Sequence, residues 1–222
     1  MMTVSATDNQ TLTRAALKTP RAAAIAGVVF SILLLAALWL LRRSIPADPL
    51  ESGGWVTTGA SDVALALNLI PFAGIAFLWF IGVLRDRSGL LEDRFFATVF
   101  FGSALLFLAM LFVGAAVIGA IVLAATVDAD ALINSPTFHV ARAVAYNIVN
   151  VYALKMAGVF IISTSTVALY TAIAPRWMAF LGYVLALVLL FGNYYISWSI
   201  AVLPMWVFLI SVHILIDNFR KR

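Results

Sequence analysis

Lys155 stands in the run NIVNVYALKMAGVFII (residues 147–162), and it is the one charged residue there. A cation in an apolar stretch is either drawn out to a membrane surface or set to attract a partner of opposite charge. Two amides, Asn147 and Asn150, precede it, and His139, Arg142 and Tyr146 lie further up the same segment. At about 100° per residue, Asn147, Lys155, Gly158, Ser165 and Thr166 fall on one side of a helix. His139, Arg142, Tyr146, Asn150 and Thr164 form an adjacent stripe on the same spacing. Asn68 lies at a similar depth in another apolar run, just before Pro71, whose ring frees a backbone carbonyl. Cations flanked by amides attract anions. Lys155, Asn147, Asn150, Asn68, Tyr146, Arg142 and His139 therefore make a candidate cationic, amide-lined vestibule. The competing expectation for Lys155 is an interfacial anchor. Helix side chains lean toward the N-terminus, which carries an ammonium one turn inside the boundary outward to water.

Other chemistry is missing. The ten acidic residues are Asp8, Asp48, Glu51, Asp62, Asp86, Glu92, Asp93, Asp128, Asp130 and Asp217, and none sits in the middle of an apolar run. That removes the carboxylate of a proton relay and the paired carboxylates of acid–base or dinuclear metal chemistry. There are no cysteines, so disulfides and thiolate metal sites are excluded. His139 and His213 fall at opposite faces of the expected bundle and cannot ligate one haem. His213 and Asp217, four apart, read as an ordinary surface pair. The hydroxyls of Ser163, Thr164, Ser165 and Thr166 are expected to bond back to their own helix. No enzyme activity, cofactor or metal is expected.

The elements that position these residues follow from composition. The 222-residue chain is 64% hydrophobic and only 11% charged, against about a quarter charged in soluble domains. The expected fold is all-α, a polytopic transmembrane helical bundle, because backbone groups in hydrocarbon need partners within their own segment. Six spans are expected, at residues 22–41, 63–84, 95–126, 139–173, 178–194 and 198–216. Residues 1–20 read as a flexible cytoplasmic tail and 21–222 as one membrane domain. With both termini inside, the inner face holds Arg14, Lys18, Arg21, Arg85, Arg87, Arg94, Arg176, Arg220, Lys221 and Arg222. These are ten of the 14 basic residues, the asymmetry that marks a cytoplasmic side. The same reading makes the pI of about 9.7 a matter of topology, not of nucleic-acid binding. The third run is about 48 Å long as a helix, more than tilt absorbs. It is expected to overhang with the fourth, and residues 44–62 and 117–152 then form a small extracytoplasmic cap around Trp55.

Two resemblances enter beside this reading. GVLRDRSG (82–89) resembles the cytoplasmic loop motif of major facilitator transporters, in which Asp86 and Arg87 would hold a conformational latch beside Arg85 and Arg94. Leu90 and Leu91 stand where that family carries two basic residues. Over more of the chain, NLIPFAGIAFLWFIGVLRDR (68–87), EDRFFATVFF (92–101) and PRW (175–177) resemble an uncharacterised family of small multi-pass bacterial inner-membrane proteins. That resemblance implies a bacterial inner-membrane location and a helical bundle, and no substrate. The expected function is that of an integral membrane protein with a structural, assembly or regulatory role. The alternative is a small channel or transporter using the vestibule around Lys155. Expected partners are the lipid bilayer and either a second copy or another membrane protein.

Overall fold

The structure is a computed structural model that describes residues 20–49, 51, 53–88, 94–171, 174–192 and 198–220. Nine α-helices occur among them: α1 (Pro20–Ser44), α2 (Trp55–Thr58), α3 (Ala60–Ser88), α4 (Arg94–Ala125), α5 (Ala129–Ile133), α6 (Pro136–Asn147), α7 (Leu154–Thr171), α8 (Arg176–Phe191) and α9 (Val202–Arg220). Among the described residues there are no strands. A π-helical segment, Ile148–Ala153, joins α6 to α7 without a break.

Local chemistry fixes the ends. Pro20 occupies the first turn of α1, where its missing N–H costs nothing. Arg42 and Arg43 close the last turn of α1, where cations face the negative end of the helix dipole. Asp128 caps α5 by accepting from the Ala131 N–H at 2.9 Å. Ser135 caps α6 by accepting from the Phe138 N–H, with Pro136 next in sequence. Pro175 precedes α8, and the Gly192 N–H donates to Val188 O to end it.

Among the described residues five helical stretches are long and apolar enough to cross a membrane: Ala22–Ser44, Ala60–Leu84, Thr98–Ala125, Pro136–Tyr170 and Ser199–Asp217. The other apolar helix, α8, has 16 residues, or about 24 Å of rise. It falls short of the roughly 30 Å of a hydrocarbon core.

Packing among the described residues runs chiefly through two apolar cores, with a third small cluster at Ala168, Ala174 and Met178. In the larger, Phe77 on α3 meets Phe30 of α1 at 4.5 Å, Phe160 of α7 at 5.2 Å and Phe107 of α4 at 5.8 Å between ring centroids. Phe30, Phe77, Phe160 and Phe107 are fully buried, each burial contributing about 1.5–3 kcal/mol. α1 lies along α3 and α9, α7 forms a hairpin with α8, and α4 runs against the whole length of α6, the π segment and α7. The smaller core lies at one end. There Trp55, Val56 and Val63 pack on Ile121 of α4 and Phe138 of α6, with the Trp55 and Phe138 rings 6.4 Å apart. Residues 45–49, 51 and 53–59 thus lie over the ends of α4 and α6 as a cap.

Candidate functional site

The polar residues of interest sit on the continuous run from α6 through the π segment into α7. The π segment needs room beside α4, and Gly114 supplies it: a Cβ there would collide with Val149. A π turn holds more residues than an α turn. Residues beyond Ala153 are therefore rotated relative to a straight helix.

Arg142 is only 3% exposed. Its guanidinium donates to three backbone carbonyls of the covering loop, Glu51 O at 2.5 Å, Asp48 O at 2.7 Å and Pro46 O at 3.3 Å. The planar fork of arginine suits this, because its donors point in fixed and different directions. Those carbonyls belong to an irregular segment with few backbone partners, and a buried carbonyl without a donor is costly. Arg142 thus ties the cap to α6.

Lys155 is half-buried, and its Nζ donates to Leu190 O at 3.0 Å. Leu190 lies in the last turn of α8, where carbonyls have no partner within the helix. The ammonium therefore acts as a cap in trans, satisfying an acceptor and opposing the negative end of the dipole. It engages protein backbone, not a shared polar chamber.

The amides turn inward on their own helices. Asn147 Nδ2 donates to Ala143 O at 2.9 Å, Asn150 Nδ2 to Tyr146 O at 3.1 Å and Asn68 Nδ2 to Ala64 O at 2.8 Å. His139 is exposed and sits edge-on to the Phe138 ring at 5.5 Å. Three of the four hydroxyls bond back to their own helix as their spacing suggests, and Ser165 does not. Ser163 donates to Val159 O, Thr164 to Phe160 O and Thr166 to Ile162 O, while Thr166 also pairs with Tyr183 Oη on α8 at 2.9 Å. Ser165 Oγ and Trp206 Nε1 are buried without a hydrogen-bond partner. Both lie against Gly182, at positions a Cβ there would invade.

An open cavity of about 260 Å³ lies at the capped end, bounded by the end of α1, the loop after it, the face of α6 and Trp198. Three of the seven expected vestibule residues line it, namely Arg142, Tyr146 and Asn150; Lys155, Asn147, Asn68 and His139 do not. Arg85, Asp86, Arg87 and Arg94 fall at the facing ends of α3 and α4, and their side chains lie outside the described residues, as does the 1–19 tail. Among the described residues no group of three His, Cys, Asp or Glu side chains gathers as a metal site.

Four participants escaped the sequence reading, the carbonyls of Leu190, Pro46, Asp48 and Glu51. All are main-chain groups, which leave no mark in residue type. One signal was present: Pro46 and Pro49 keep their loop irregular, and such a loop must find donors elsewhere.

Fold and site together define a helical membrane-type bundle with, among the described residues, five helices long and apolar enough to span a bilayer. Comparison with family models, curated proteins and solved structures finds no match to this chain.

Proposed function

We propose that this protein is a structural, assembly or regulatory component of the bacterial inner membrane that acts through its capped end. One observation supports this above others: the interior is filled by aromatic rings gathered on Phe77, drawn from α1, α4 and α7. A hydrated path along the bundle would have to displace that cluster. The cations that would serve such a path are engaged by main chain, Arg142 with the covering loop and Lys155 with the end of α8. In this reading the chain crosses the membrane six times and both termini are cytoplasmic, in keeping with the ten basic residues on one side. The cap then faces outward, and its partner is a second copy or another membrane protein. The protein is no enzyme, needs no cofactor and binds no nucleic acid. The resemblance of residues 68–87, 92–101 and 175–177 to small bacterial inner-membrane proteins supports the location.

Proteoliposomes test the reading. Vesicles carrying the protein should leak potassium, chloride and a small anionic dye no faster than empty ones. A protein-dependent flux that Lys155→Met abolishes would overturn it. It would favour the second reading, a small channel or transporter with a cationic outer vestibule, for which the open cavity beside Arg142, Tyr146 and Asn150 speaks. A periplasm-active reporter fused after Arg222 should stay silent.

A further inference from the structure

The cavity at the capped end has walls of two kinds. Leu38, Leu41, Ile118 and Val149 are half-buried and apolar, while Arg42 and Trp198 are exposed. The Arg42 guanidinium sits 5.6 Å from the centre of the Trp198 ring. The cavity lies at the end of the Ala22–Ser44 stretch, which in any bilayer that α1 crosses is the level of the headgroups. Arginine and tryptophan are the side chains that settle at that level. At about 260 Å³ the space falls just below the roughly 300–1,000 Å³ of sites that engulf a small molecule. It suits part of a longer molecule whose remainder lies outside. The charges differ in availability. Arg142 is held by three carbonyls and faces Asp48 and Glu51, whereas Arg42 stands exposed at the cavity.

We propose that this cavity binds one phospholipid from the adjoining leaflet, its phosphodiester on Arg42 and part of one acyl chain along Leu38, Leu41, Ile118 and Val149. A single phosphodiester matches the single available guanidinium, which grips two phosphate oxygens at once. The apolar wall accepts methylene groups that would otherwise meet bilayer or detergent. The proposal requires a bilayer around α1 but not the assembly role, so the flux assay leaves it untouched.

The test uses the full chain, delipidated in an alkyl maltoside and titrated with four probes. These are phosphatidylglycerol, phosphatidylethanolamine, diacylglycerol of the same chain length, and glycerol 3-phosphate. Native mass spectrometry reads stoichiometry, and thermal melting reads the linked stabilisation. Both phospholipids should bind one to one, and the other two probes at least tenfold more weakly. Arg42→Gln should weaken phospholipid binding roughly tenfold, as loss of a charge-assisted contact implies, and Arg42→Lys, which keeps the charge but not the fork, should restore only part of it. Ala47→Trp, at an exposed position on the cavity wall, should abolish binding while the melt without lipid stays put. Diacylglycerol binding as well as phospholipid would overturn the headgroup contact. Glycerol 3-phosphate binding as well would make this a site for free anions. Unchanged binding in both Arg42→Gln and Ala47→Trp would place the lipid elsewhere and overturn the proposal.

Discussion

Replacing Arg142 with methionine keeps an unbranched apolar stem and removes every donor. In the native fold that side chain is 3% exposed and holds Glu51 O, Asp48 O and Pro46 O. A hydrogen bond with one charged partner contributes about 1.5–3 kcal/mol. The three do not simply add, because the freed loop regains water and the desolvated guanidinium is gone. A net loss of about 2–4 kcal/mol remains, comparable to removing one partner of a buried ionic contact. For a chain of this size each kcal/mol moves the midpoint by about 2–4 °C, so Arg142→Met should melt roughly 5–15 °C lower in detergent. Lysine at the same position keeps the charge but reaches fewer carbonyls with a compact head, and Arg142→Lys should fall between. Limited proteolysis supplies a local readout: cleavage between residues 45 and 54 should accelerate in Arg142→Met before the rest of the chain is cut. If Arg142→Met melts with the wild type and the loop is cut no faster, the clamp does not hold the cap.

Lys155→Met should lower stability by about 1–2 kcal/mol, since a half-buried charged donor and a favourable dipole contact are both lost. Hydrogen exchange should quicken at residues 188–192, while a surface anchor would leave both readouts unchanged. Phe77→Ala opens a void under four other rings and should cost about 3–5 kcal/mol in a denaturant titration. Gly182→Ala pushes a methyl group into Ser165 Oγ and Trp206 Nε1 and should cost about 1–3 kcal/mol. Adding Ser165→Ala should recover part of that loss, a coupling that a double-mutant cycle measures. Asn68→Ala and Asn147→Ala remove exposed amides bonded to their own helices and should shift stability by no more than about 0.5 kcal/mol. A larger loss from either would mean that the amides serve something beyond their own turns.

The helices were legible because hydropathy and end chemistry act within one segment. The first span expected at 22–41 lies within Pro20–Ser44, and the third expected at 95–126 is matched by Arg94–Ala125. Counting at about 100° per residue holds beyond the interruption in the fourth run, where Lys155, Gly158, Ser165 and Thr166 share the side facing α8. Residues 148–153 form a π segment, and the count does not carry back across it to Asn147. No residue type announces a π turn. Gly114 makes space for it beside Val149. The role of Lys155 was hidden, since its partner is a main-chain carbonyl 35 residues away. Arg142 was picked out as polar, but its burial against the covering loop depends on a chain reversal that its own surroundings do not encode. The span count stays finely balanced in the sequence because α8 is apolar throughout yet short.

That shortness gives the molecule a built-in gradient of thickness. The α8 flank offers about 24 Å of helix, with Phe180, Val184, Leu187 and Phe191 turned outward, while α4 offers 32 residues, or about 48 Å. If α8 crosses the bilayer as proposed, lipid beside it must thin or tilt to keep those side chains covered, and lipid beside α4 need not. Such mismatch costs fractions of a kcal/mol per Å, so a deficit of about 6 Å sums to the order of a few kcal/mol on one side only. The protein then behaves as a wedge in the plane of the membrane. It rests at lower free energy in thin bilayers, or with its α8 side against another short-flanked protein, and it ranks its neighbours by the thickness of their collars before any side chain touches.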